Sequence, residues 1–158
     1  MFIDDEILLE VGFDAAQAGL AKLTSGDTLA SASQDAYSEG VSDLIRVGPL
    51  GAVPGTSKLV EVRFRNLVRR DACAGLAVRW EATGPGGGLF PALDADITVM
   101  PVGDQSTLLR LAGSYRPPFG ALGVAIDAAI LHRVATATIR TFLSRIAAAV
   151  AHPPASAA

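Results

Sequence analysis

Residues 121–151 read ALGVAIDAAILHRVATATIRTFLSRIAAAVA, and this stretch decides the fold. It contains no proline and a single glycine, Gly123, near its start. Val124, Ala128, Leu131, Ala135, Thr138, Ile139, Phe142, Ile146 and Ala149 recur mostly at spacings of three and four. On a helix of about 3.6 residues per turn those positions line one apolar stripe. Arg133, Arg140 and Ser144 fall on the opposite side. Pro153-Pro154 ends the run, because proline lacks the amide hydrogen that a helix interior needs. The spacing predicts a helix over 123–150, about 42 Å long at about 1.5 Å per residue. A helix with one apolar stripe needs an apolar surface to lie against.

That surface is written immediately upstream. Val60, Val62 and Phe64 alternate with Glu61, Arg63 and Arg65. Ala74, Leu76, Val78, Trp80 and Ala82 share one face of the next segment, with Gly75, Ala77, Arg79 and Glu81 on the other. After the reversal Thr83-Gly84-Pro85-Gly86-Gly87-Gly88, Leu93, Ala95, Ile97 and Val99 alternate with Asp94, Asp96 and Thr98. Gly103-Asp104-Gln105 makes another turn, after which Leu109, Leu111 and Tyr115 oppose Arg110, Ser114 and Arg116. Period-two alternation between short turns predicts an antiparallel meander with one buried face. Pro117-Pro118 closes it.

The N-terminal third completes the order. The apolar run in 2–13 predicts a first strand, and Asp14 with Gln17 resembles a capping box for a helix over Ala15–Thr24 that stops at Gly26. A second short helix is expected at about Thr28–Ser38, then a strand at Val41–Val47 and a loop with Gly48, Pro49, Gly51, Pro54 and Gly55. The predicted class is therefore α+β. The terminal helix is longer than a ten-residue strand, which spans about 33 Å, so a strongly curved sheet gripping a diagonal helix satisfies both apolar faces.

Composition bounds the rest. The 158 residues (16.2 kDa) suit one domain over 1–151 with a short flexible tail, 152–158. Apolar residues at 50%, charged residues at 18% and a mean hydropathy of +0.38 exclude disorder. A net charge of −3 and a pI near 5.3 argue against nucleic acid as a partner. One cysteine, Cys73, and two distant histidines, His132 and His152, point to no metal and no cofactor. The N-terminus lacks a signal-peptide pattern and no apolar run reaches the roughly 20 residues that span a bilayer, so a cytoplasmic location is expected.

Several local stretches point the same way as the element order. They are Leu44-Ile45-Arg46-Val47-Gly48-Pro49, Arg79-Trp80-Glu81-Ala82-Thr83-Gly84-Pro85-Gly86, Tyr115-Arg116-Pro117-Pro118 and Leu131-His132-Arg133-Val134-Ala135-Thr136. Over about residues 2–150 the chain resembles the START/Bet v 1-like superfamily, also called SRPBCC or polyketide cyclase-like, and its uncharacterised bacterial members in particular. The resemblance implies a helix-grip fold: a curved antiparallel sheet of about six or seven strands around a long C-terminal helix, with two short helices after the first strand. It also implies an apolar cavity between sheet and helix. It carries over no catalytic residue, because the superfamily shares no catalytic motif.

The inward positions then nominate Phe64, Asn66, Trp80, Tyr115, Leu131, Ala135, Thr138 and Phe142 as lining a site for a small hydrophobic ligand. Asn66, Tyr115 and Thr138 are the polar members that would orient a lipid-like, polyketide or aromatic molecule by hydrogen bonds. For Phe64, Trp80 and Phe142 plain core is the first reading and dedicated ligand contact the second. A polyketide aromatase/cyclase is the alternative function, with Tyr115, Asn66 and Tyr37 moving protons, although the inner faces read as poor in ionisable groups. A protein-interaction module without a ligand is the third reading. Asp94 and Asp96 are better explained by cross-strand pairing with Arg79 and Arg110 than by a metal. Glycines 84–88 lack the features of a phosphate loop. The basic Arg63, Arg65, Arg69 and Arg70 read as a charged strand face, with membrane contact beside Phe119–Leu131 as a minor alternative.

Overall fold

The first strand, β1 (Phe2–Leu9), alternates so that Ile3, Asp5, Ile7 and Leu9 point inward while Phe2, Asp4, Glu6 and Leu8 point out. A computed structural model of the chain describes it together with the rest of residues 1–25, 31–35, 60–64, 68–70, 73–82, 92–116 and 128–152. The expected strand at Val41–Val47, the loop after it, the glycine turn at 84–88, residues 121–127 and the tail from 153 lie outside the described residues. The chain continues through α1 (Phe13–Ser25), a helical segment α2 at 31–35, β2 (Val60–Phe64), β3 (Val68–Arg70), β4 (Cys73–Ala82), β5 (Ala92–Gly103), β6 (Ser106–Arg116) and α3 (Ala128–Ala151).

The strands form one antiparallel sheet in the order β1-β6-β5-β4-β2, with β3 also paired to β4. Four strands, β1, β4, β5 and β6, are 8 to 12 residues long and make its body, while β2 and β3 have 5 and 3 residues. The register lines up inward residues in rows across the sheet. Trp80, Leu93 and Tyr115 form one row. Val78, Ala95, Gly113 and Ile3 form the next, and Leu76, Ile97, Leu111 and Asp5 the one after. All of these except Gly113 and Asp5 are buried apolar residues. Between β5 and β6 the turn at Asp104-Gln105 follows a register shift between Pro101 and Gly103.

Two glycines allow approaches that no other residue permits. A Cβ on Gly113 would run into Ala95 Cα and Asp94 O of the neighbouring strand. A Cβ on Gly19 would lie 2.5 Å from Val150 O and 3.0 Å from Val150 Cα, so α1 packs backbone-to-backbone on the end of α3. There α1 buries Ala16, Leu20 and Leu23. The helix starts earlier than the capping pattern predicts. The amide of Ala16 donates to Gly12 O at 3.0 Å, so Asp14 lies within the first turn, where its charge suits the positive helix end. Thr107, buried, donates its hydroxyl to Val11 O at 2.8 Å and holds this entry against β6.

Over its described length α3 has 24 residues, about 36 Å. Its buried face holds Ala135, Thr138, Ile139, Phe142, Leu143, Ile146, Ala147 and Val150, and Ala149 is half-buried. Arg133, Arg140 and Ser144 are exposed, as the spacing predicts. Two ion pairs join this helix to its neighbours: Arg145 to Asp35 of α2, and Arg140 to Asp5 of β1 at 3.0 Å. No helix among the described residues is long and apolar enough to cross a membrane.

Candidate functional site

The strands β4, β5 and β6 place Trp80, Leu93 and Tyr115 side by side on the face turned toward α3, and α3 brings Phe142 onto them. The rings of Trp80 and Phe142 lie 5.2 Å apart, tilted by 32°, within the separation at which aromatic pairs attract. Side-chain volume then falls sharply: the adjoining row carries Ala95 and Gly113 where its neighbours carry Leu93 and Tyr115. Ala135 and Thr138 of α3 are buried in the same layer. Of the nominated residues, the structure thus collects Trp80, Tyr115, Ala135, Thr138 and Phe142 in the interior between sheet and helix. The side chains of Phe64 and Leu131, and Asn66 and Tyr37 altogether, lie outside the described residues.

The expectation of an inner face poor in ionisable groups needs one correction, Asp5. Its carboxylate is on the inward side of β1, opposite Leu111, between Ile3 and Ile7. Oδ1 accepts from Arg140 Nη1 and from the amide of Glu6, each at 3.0 Å. Oδ2 is buried and has no hydrogen-bond partner among the described residues. The signal was present in the sequence, because Asp5 shares its parity with Ile3, Ile7 and Leu9. The run Asp4-Asp5-Glu6 hides it by reading as one acidic patch.

The outer face of the sheet is a charged lattice. Asp4 accepts a bidentate bond from Arg110, with Nε to Oδ1 at 2.8 Å. That hydrogen bond lowers the Asp4 pKa from its ordinary value and raises that of Arg110. Arg79 bonds Glu81 at 3.0 Å and approaches Asp94 of the next strand at 3.8 Å. Asp94 therefore pairs across strands as expected, whereas Arg110 pairs with Asp4 on β1 and not with Asp96. A shallow depression of about 240 Å³ opens beside this network, floored by Ala92 and Ser114 and flanked by Arg79, Glu81 and Arg116. It lies on the side of the sheet facing away from α3. Among the described residues, no cluster of three or more metal-ligating side chains occurs. His132 and His152 are exposed, and Cys73 is a half-buried free thiol at the start of β4.

No family model matches the chain, and no curated protein is significantly similar to it. Solved structures do resemble it. A hypothetical protein from Helicobacter pylori is 15% identical with a TM-score of 0.51, over 94% of this chain and 86% of that one. A conserved protein from Geobacillus kaustophilus is 15% identical with a TM-score of 0.50, over 96% and 95%. The ZhuI aromatase/cyclase from a Streptomyces species is 10% identical with a TM-score of 0.43, over 99% and 97%. The first two likenesses bear on the fold alone: an antiparallel sheet packed on a C-terminal helix.

Proposed function

We propose that this chain is a helix-grip protein of the START/Bet v 1-like (SRPBCC) type, working in the cytoplasm, and that it binds a small hydrophobic molecule between its sheet and α3. The observation that supports this reading is the step in side-chain size on the inward face. The aromatic row of Trp80 and Tyr115, capped by Phe142, adjoins a row with Ala95 and Gly113. A ligand body resting over the small row would contact aromatic faces on one side and aliphatic side chains on the other, the usual make-up of an apolar site. Thr138 and Tyr115 supply hydroxyls in the same layer.

Trp80 is the only tryptophan in the chain, so its fluorescence reports on this interior without labelling. Titration with fatty acids, alcohols, sterols, quinones and aromatic polyketides should change its intensity or wavelength for at least one class. The same ligand should raise the melting temperature, since a hundredfold excess over Kd adds about 2.7 kcal/mol. Native mass spectrometry of freshly purified protein should show the co-purified molecule. A silent Trp80 and an unmoved melting temperature across all classes would reject the reading.

A further inference from the structure

Among strand residues whose side chains are described, Asp5 is the one charged group on the inward face. Its row, Leu76-Ile97-Leu111-Asp5, borders the row of Ala95 and Gly113 on the side opposite the aromatic residues. Its side chain is 17% exposed, and Oδ2 is shut away from solvent with no donor among the described residues. A buried carboxylate oxygen without a donor is costly, and an isoleucine or leucine would continue the pattern of Ile3, Ile7 and Leu9 without that penalty. The ion pair does not require the acid either, because Arg140 is 63% exposed and an exposed cation is well solvated alone. The group is therefore kept against the interest of the fold, which marks functional positions.

We propose that Asp5 is a ligand-binding residue, and that it selects apolar molecules bearing a hydroxyl donor over those ending in a carboxylate. This rests on the function proposed above and narrows its ligand class. A hydroxyl reaching Asp5 gives Oδ2 the donor it lacks, while Arg140 and the Glu6 amide continue to hold Oδ1. A fatty-acid carboxylate at the same place would set two anions together in a poorly hydrated site. Asp5 and Tyr115 are separated by the length of four strand residues along β6, about 13 Å, so one elongated molecule can touch both ends.

The test uses the full chain, dodecan-1-ol and dodecanoate, with Trp80 fluorescence and displacement as readouts. The unmodified protein should bind the alcohol at least about tenfold more tightly than the carboxylate, the scale of one hydrogen bond to a charged group. Asp5→Leu should melt no lower than the unmodified protein and should lose the preference. Asp5→Asn, which keeps the shape, should narrow it and guards against misfolding of the first variant. Equal binding of both compounds by the unmodified protein, or a preference that survives in Asp5→Leu, overturns the role of Asp5 alone. Absence of binding by either compound or by any apolar class overturns the underlying function and this inference with it.

Discussion

Replacing Gly19 with alanine pits helix propensity against packing, and the structure decides the sign. Gly19 lies in the middle of α1, where alanine is favoured over glycine by roughly 0.5–1 kcal/mol. On propensity alone the substitution stabilises. The new methyl, however, would stand 2.5 Å from Val150 O and 3.0 Å from Val150 Cα, both of them backbone atoms of α3. Backbone cannot rotate away as a side chain can, so α1 must retreat by roughly 0.9 Å to restore ordinary contact. That retreat loosens Ala16, Leu20 and Leu23, which α1 buries on the same side. Overpacking of this kind costs about 1–3 kcal/mol, leaving a net loss of about 1–2 kcal/mol after the propensity gain. For a domain of this size the melting temperature should fall by about 2–8 °C. Urea titration followed by far-ultraviolet circular dichroism measures it. The control is Ala18→Gly, an exposed neighbour in the same helix, which should cost about 1 kcal/mol through propensity alone. Both substitutions should therefore destabilise, although they change the helix in opposite directions. A Gly19→Ala protein more stable than its parent would refute the close contact of α1 with α3.

Phe142→Ala should cost about 3–5 kcal/mol, because the ring is fully buried against Trp80, and its loss should also shift the Trp80 emission; a cost under about 1 kcal/mol would mean that the ring is not part of the packed interior. The Asp4–Arg110 pair predicts a pH effect of definite sign. The Asp4 carboxyl sits below its ordinary value of 3.8 because Arg110 bonds its ionised form, so the stabilisation is complete above 3.8 and disappears as pH falls through the lower folded value. Asp4→Asn should therefore be less stable near neutrality and equal to the parent in strong acid, as read by denaturant midpoints across pH; a gap that persists in acid contradicts the pairing.

The sheet and the terminal helix were legible because their apolar spacing repeats over many residues. The alternations in β4, β5 and β6 and the stripe of α3 each depend on burial of one face, which is a property of the residues themselves. The start of α1 differs from the expected one because the capping pattern at Asp14 is local, whereas Gly12 takes the cap through a tertiary contact in which Thr107 fixes the carbonyl of Val11 just before it. Leu143, Ala147 and Val150 widen the buried stripe of α3 because α1 covers a second flank of the helix, which no spacing rule announces. In the candidate site, Trp80, Tyr115 and Phe142 could be nominated by face. The contact of Trp80 with Phe142 could not, since it depends on how the helix crosses the sheet. Asp5 is hard to pick out in the sequence because three consecutive acids look like surface, although alternate parity sends the middle one inward.

The pairing of β1 with β6 joins residues more than a hundred positions apart, as in the bond from Arg110 to Asp4. During synthesis the first strand leaves the ribosome long before its only partner in the sheet among the described strands exists. Until then its apolar face is unshielded, and the charges of Asp4 and Glu6 on the opposite face are what keep it soluble while it waits. Closure of so long a loop is slow, so this chain should acquire its native shape late and nearly all at once, after the sixth strand and the terminal helix have emerged.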